Sequence, residues 1–136
     1  VSEPLQELPG LWVSLDRVEY NPDVEVTADK PYGFVYHITI HNDSHQTVTI
    51  KGRKWVVTSV NGDKMVLEGD GVVGETPVLA PGREFSYNSY HLIGSDSVAE
   101  GAYIGVAEDG TRVFTRIPAF KMHVPDEFRL DLPNFP

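Results

Sequence analysis

The 136 residues carry eleven Lys and Arg against twenty Asp and Glu, a formal charge of −9, and no cysteine. That balance repels nucleic-acid phosphates and anionic membrane surfaces, and the missing thiols exclude disulfides, thiolate metal sites and cysteine nucleophiles. The length suits one domain, the 40% hydrophobic and 23% charged content is that of a folded globular chain, and no apolar run approaches the roughly 20 residues of a membrane span.

Residues 1–10 contain Pro4 and Pro9 without sustained periodicity and read as an N-terminal arm. Leu11, Val13 and Leu15 then alternate with polar residues, the period-2 mark of a half-buried strand. The apolar parity flips at Asp16-Arg17 and resumes at Val18 and Tyr20, as a bulge or a change of sheet would cause. Asn21-Pro22-Asp23 reads as a turn, followed by a short Val24-Glu25-Val26 segment. Tyr32 to Asn42 is the clearest strand: Phe34, Tyr36, Ile38 and Ile40 share the core face, with Val35, His37, Thr39 and His41 opposite. His37 and His41 invite a metal reading, but four residues of strand span about 13 Å, too far for two ligands on one ion. They read as surface histidines, and His45 in the following turn adds polarity rather than a third ligand.

Val48 and Ile50 resume the alternation, Gly52 interrupts it as a bulge or close approach would, and Trp55 sits inside a strand beside Val56 and Val57. Asn61-Gly62 signals a hairpin with a two-residue type I′ turn, and Lys64 to Glu68 is the return strand. Phe85 and Tyr87 mark another strand, and Gly94 to Ser97 a loop. A second hairpin runs Tyr103 to Glu108, Asp109-Gly110, then Arg112 to Ile117. With seven or eight short strands, close turns and no helical period, the expected fold is all-β. It is an antiparallel β-sandwich of fibronectin-III/immunoglobulin-like type without a disulfide, spanning residues 11–122. A small barrel is the alternative. Residues 123–136 form a Pro-containing apolar C-terminal tail, with Val124, Phe128, Leu130, Leu132 and Phe135 expected to dock on folded protein.

Gly69, Gly71 and Gly74 make a GxGxxG spacing between two strands. In a dinucleotide-binding fold that spacing opens a helix, but here Pro77 and Pro81-Gly82 follow. Glu68, Asp70 and Glu75 would place three carboxylates and no cation around an anion, so the glycines read as shaping a loop. The alternative is a small-ligand binder at Gly69–Gly74 for pyrophosphate, a nucleotide or a divalent cation, with Glu68, Asp70 and Glu75 as oxygen ligands. No HExxH, GxSxG or P-loop lysine pattern is present. Ser86, Ser89, His91 and Asp96 supply the residue types of a triad, though not its geometry.

The stretch Gly69-x-Gly71-Val72-Val73-Gly74-Glu75-x-Pro77-Val78-Leu79-x-Pro81-Gly82 resembles the signature segment of the ApaG family. Tyr36-x-Ile38-x-Ile40-x-Asn42 resembles the family's first core strand, and Arg53-x-Trp55 followed by Asn61-Gly62 its next hairpin. Phe85-x-Tyr87-x-Ser89, Gly101-x-Tyr103 and Ile117-Pro118-x-Phe120 resemble the remaining markers, in the same order, over roughly Leu11 to Met122. Two departures are Ile104, where the family often has Met, and the apolar tail after Met122. The resemblance implies a fibronectin-III-like sandwich without enzymatic activity. In bacteria the family is linked to cobalt and magnesium tolerance and to a neighbouring gene for a diadenosine tetraphosphate hydrolase, and its eukaryotic relatives are taken to bind protein partners. The expectation is a cytoplasmic, non-catalytic module without a cofactor that binds a protein or peptide but neither nucleic acid nor membrane. Self-association through a sheet edge or the tail is a further possibility.

Overall fold

The computed structural model describes residues 4–128. Among the described residues nine strands run in chain order: β1 (Gln6–Glu7), β2 (Leu11–Tyr20), β3 (Tyr32–Asn42), β4 (Val48–Ser59), β5 (Lys64–Asp70), β6 (Val78–Leu79), β7 (Glu84–Ile93), β8 (Ser97–Ala107) and β9 (Arg112–Met122). They form two packed sheets: a six-stranded sheet ordered β1-β9-β8-β4-β5, with β6 also on β4, and a three-stranded sheet ordered β2-β3-β7. All pairings are antiparallel except β1 on β9. The expected arm therefore starts the larger sheet, whereas Val24 to Val26 belongs to a loop and adds no strand.

Alternation places the core between the sheets. Phe34, Tyr36, Ile38 and Ile40 of β3 are buried and face Ile50, Trp55 and Val57 of β4, Tyr103 of β8 and Val113, Ile117 and Phe120 of β9. The sandwich closes where β2 meets β9, with Thr115 Oγ1 donating to the Leu11 carbonyl at 3.1 Å.

Three bulges reset the side-chain alternation. One lies between Leu15 and Arg17, where the sequence changes parity. A second lies between Ile50 and Gly52, where the missing Cβ leaves room for the Gly69 carbonyl. The third sets Pro118 and Ala119 against Glu100, in a β9 position where a residue without an N–H does least harm.

The turn chemistry differs from the sequence expectation in one respect. The Asn61-Gly62 and Asp109-Gly110 hairpins are three-residue loops. Ser59 and Ala107 accept from Gly62 and Gly110, only the glycines take positive φ (92° and 86°), and the two-residue type I′ expectation is corrected. A two-residue turn with both central residues at positive φ occurs instead at Val73 (44°) and Gly74 (80°), inside the glycine stretch.

The described part of the tail lies on the sandwich. Val124 is buried and donates its N–H to Asp96 at 2.7 Å. After Pro125 a 3-10 turn, Asp126–Phe128, sets the Phe128 ring 5.9 Å from Tyr20 and 5.7 Å from Tyr32. Leu130, Leu132 and Phe135 lie outside the described residues. Ending the chain after Met122 is expected to lower the thermal midpoint, since it uncovers Tyr20, Tyr32 and the Val124 pocket; an unchanged midpoint in calorimetry would contradict the docking.

Candidate functional site

The glycine stretch is built around its own backbone. Gly71 N–H donates to the Lys51 carbonyl at 2.7 Å, and Val72 and Glu75 exchange N–H···O bonds of 2.7 and 2.9 Å around the Val73-Gly74 turn. Three of the N–H groups that a phosphate would need are thereby bonded within the protein. The register pairs Arg53 with Gly69, and the Arg53 guanidinium donates to the Asp70 and Gly71 carbonyls at 2.8 and 3.1 Å. This corrects the expectation that no cation lies at the loop. Arg53 was hidden from sequence reading because it arrives from the neighbouring strand. A Cβ on Gly69 would strike the guanidinium, and a Cβ on Gly71 would run into the Glu75 carbonyl oxygen. Gly74, by contrast, has open space around it and only its φ of 80° to satisfy. Gly71→Ala is therefore expected to destabilise by more than about 1 kcal/mol, and Gly74→Ala by less. Urea unfolding without any ligand ranks them, and the reverse order would refute the steric account.

Glu68, Asp70 and Glu75 do not converge on a point. Glu68 instead meets Lys54 at 3.6 Å, and among the described residues no three His, Asp or Glu side chains are placed to share an ion.

Ser86, Ser89, His91 and Asp96 likewise form no triad: Ser89 hydrogen-bonds to Tyr36 on the inner face of β7, and His91 Nε2, two residues on, has no hydrogen-bond partner. Ser86 shares a hydrogen bond with Thr39 on the outer face of the three-stranded sheet, His91 is buried in the core, and Asp96 binds the Val124 N–H at the far end of the fold. A row that sequence reading missed crosses the outer face instead. His41 Nε2 lies 2.8 Å from Ser14 Oγ and its Nδ1 3.1 Å from Glu84, the contact pattern of a nucleophile, base and orienting acid. Ser14 Oγ, however, donates to Asp16 at 2.8 Å, so a carboxylate already holds the proton that His41 would take. Hydrogen bonds from Thr39 and Ser14 hold the Asp16 carboxyl below its usual range and keep it an acceptor. Ser14 also sits in mid-strand, away from any turn that converges N–H groups on an oxyanion. The row works as a surface brace. It also fixes Trp12, which stacks on His41 at 3.9 Å and donates to Asp43 at 2.8 Å while 45% exposed.

The outer face of the six-stranded sheet has a different character. Val56 of β4, Ala102 and Ile104 of β8 and Phe114 of β9 project from it half-exposed, with no layer over them among the described residues. Two adjoining clefts of about 540 and 290 Å³ share Lys54 as a wall. The cations along them on this face are Lys51, Lys54, Arg112 and Arg116, against Glu68, Asp70 and Glu100, with Glu7 paired to Arg116; Arg53 shares the register of Tyr103 and turns its side chain to the other side of the sheet. The opposite outer face carries Asp16, Glu19, Asp43 and Glu84 beside Arg17. An acidic protein thus has one face on which cations balance the neighbouring carboxylates. The sequence holds a signal for this: Arg112, Phe114 and Arg116 alternate with buried Val113, Thr115 and Ile117, so one face of β9 reads cation, ring, cation.

Comparison with known proteins agrees with this architecture. The ApaG domain profile matches residues 22–106. The chain is 37% identical to Protein ApaG of Aromatoleum aromaticum over 108 residues, 79% of this chain and 85% of that protein. It is 41% identical to Protein ApaG of Brucella suis over 99 residues, covering 72% and 76%. Among solved structures, a Bordetella pertussis protein assigned to ApaA superposes with a TM-score of 0.75 at 28% identity, covering 90% of this chain and 99% of that one.

Proposed function

The chain belongs to the ApaG family, and from that premise we propose that it is a non-catalytic, cytoplasmic module that binds a protein or peptide partner. The observation that carries the reading is the outer face of the six-stranded sheet, over which no layer lies among the described residues: half-exposed Val56, Ala102 and Ile104 line its clefts, with Phe114 half-exposed beside Ile104, within a charged rim. That combination is the anatomy of an interaction surface rather than of a solvated sheet face. In this reading a link to cobalt or magnesium tolerance runs through the partner.

A photo-crosslinking residue at Val56, compared with one at Tyr90 on the other sheet, tests it in cells. Capture of one discrete protein from Val56, competed by unlabelled chain and absent from Tyr90, is the expected result. No protein captured from either face would overturn the reading.

A second reading, a small anionic ligand at Gly69–Gly74, gains support from Arg53 and Lys51 beside the loop, and loses it because the loop N–H groups and the guanidinium already have acceptors. Calorimetric titration with pyrophosphate, ATP and a diadenosine polyphosphate, with and without Mg²⁺, decides it. Micromolar binding abolished by Gly74→Ala in a folded protein would put this reading first.

A further inference from the structure

We propose that the partner docks on the six-stranded sheet through an acidic peptide segment, its carboxylates over Lys51, Lys54, Arg112 and Arg116 and its apolar side chains against Val56 and Ile104. The inference rests on the binding-module reading and adds the chemistry of the partner.

The charge arrangement is its main support. A chain of net charge −9 repels acidic partners at long range, and the two adjoining clefts are where that repulsion is offset, because Lys51, Lys54, Arg112 and Arg116 there balance the neighbouring carboxylates. Two of these cations, Lys54 and Arg116, are also available for exchange. Lys54 pairs with Glu68 at 3.6 Å and Arg116 with Glu7 at 3.3 Å, and all four side chains in these pairs are more than half exposed. Such exposed pairs hold each other weakly, so a partner carboxylate replaces Glu68 or Glu7 at little cost.

Spacing sets the partner's pattern. Arg112 and Arg116 stand four residues apart on β9, about 13 Å, with Phe114 between them. The Arg116 guanidinium lies over that ring, 5.4 Å from its centroid, which holds the charge close to the apolar floor. Carboxylates four residues apart in an extended segment match this interval, with apolar residues between them. A polyanion without apolar groups would satisfy the rim and leave Val56, Ala102 and Ile104 as exposed as before. This favours an amphipathic peptide over a bare polyanion.

The test is fluorescence anisotropy and amide chemical-shift mapping on the full chain, with a short labelled peptide repeating Glu-Ser-Leu-Ser, whose acids, four residues apart, and the Leu residues between them share one face when extended. Comparison probes are the same peptide with Lys for every acid, an all-Glu peptide and single-stranded DNA. The acidic-apolar peptide is expected to bind, to weaken with added salt, and to shift resonances of Val56, Ala102 and Ile104. Lys54→Glu combined with Arg116→Glu should reduce its affinity by on the order of tenfold or more, with the thermal midpoint checked to confirm folding. Arg17→Glu, on the other sheet, should leave it unchanged. Equal binding of the Lys peptide, shifts confined to the other sheet, or an affinity indifferent to the charge reversals would overturn the proposal. Tighter binding of DNA or of the all-Glu peptide would overturn it in favour of a polyanion site. If the peptide fails while the Val56 crosslink still captures a protein, the acidic chemistry falls and the module reading stands; if both fail, both go.

Discussion

Trp55→Ala is expected to lower the unfolding free energy by about 3–5 kcal/mol, the range for removing a fully buried large aromatic ring. The indole is 2% exposed at the centre of the sandwich. It meets His91 edge-on at 4.6 Å, Tyr36 at 5.0 Å and Phe120 at 5.8 Å, so its loss leaves three rings from both sheets without a common neighbour. The backbone on either side is held in ladders to β5 and β8, and this limits how far the site can collapse into the void. Urea unfolding with the slope compared between wild type and variant provides the measurement. A midpoint unchanged within error would show that the ring contributes nothing to the core, and would require another residue to join the two sheets.

The second large effect is expected from acid. His91 is 4% exposed, its Nε2 is buried without a hydrogen-bond partner, and burial pushes its pKa down to about 4 from an ordinary 6.5. As the pH falls, the unfolded chain takes up the proton first, because only there is the imidazole hydrated. The stabilisation from a neutral His91 is therefore complete above about pH 6.5, declines through the interval below it, and is gone near pH 4. The gap between the two pKa values corresponds to roughly 3 kcal/mol across that window. Asp16, Asp29 and Asp109 have their pKa values lowered by hydrogen bonds from Thr39, Thr27 and Thr111 respectively, so their contributions are lost only below the ordinary carboxylate value of 3.8. The two windows separate. His91→Phe keeps a ring beside Tyr36, Trp55 and Phe120 and is expected to flatten the curve between pH 6.5 and 4. Parallel curves for the two proteins would show that another group titrates there.

The strands were legible wherever one face is buried and the other wet. Phe34 to Ile40 announces its orientation residue by residue, and the parity change at Asp16-Arg17 marks a bulge that the structure contains. Trp55 could be assigned to the core from its strand neighbours alone. What escaped depends on register, which alternation does not encode. Arg53 lies on the glycine loop because β4 pairs it with Gly69, and Ser14, His41 and Glu84 meet because three strands align them. The Val73-Gly74 turn escaped for a different reason. A β-branched residue at positive φ runs against local preference, and here the exchanged bonds of Val72 and Glu75 and the burial of Val72 hold it. The charged face was half legible, since Arg112-x-Phe114-x-Arg116 shows its alternation but not that Lys54 lies across from it.

The parallel pairing of Gln6 and Glu7 with Val113 and Phe114 joins two segments more than a hundred residues apart in sequence. Leu11, a few residues later, receives its hydrogen bond from Thr115. During synthesis β1 thus has no strand partner until β9 has been made, although β2 can already pair with β3. Contacts of such sequence separation place the protein among slow folders, on the order of milliseconds to seconds. A chain that stopped inside β9 would keep every strand of the three-stranded sheet yet lack the part of the core that Ile117, Phe120 and Met122 supply.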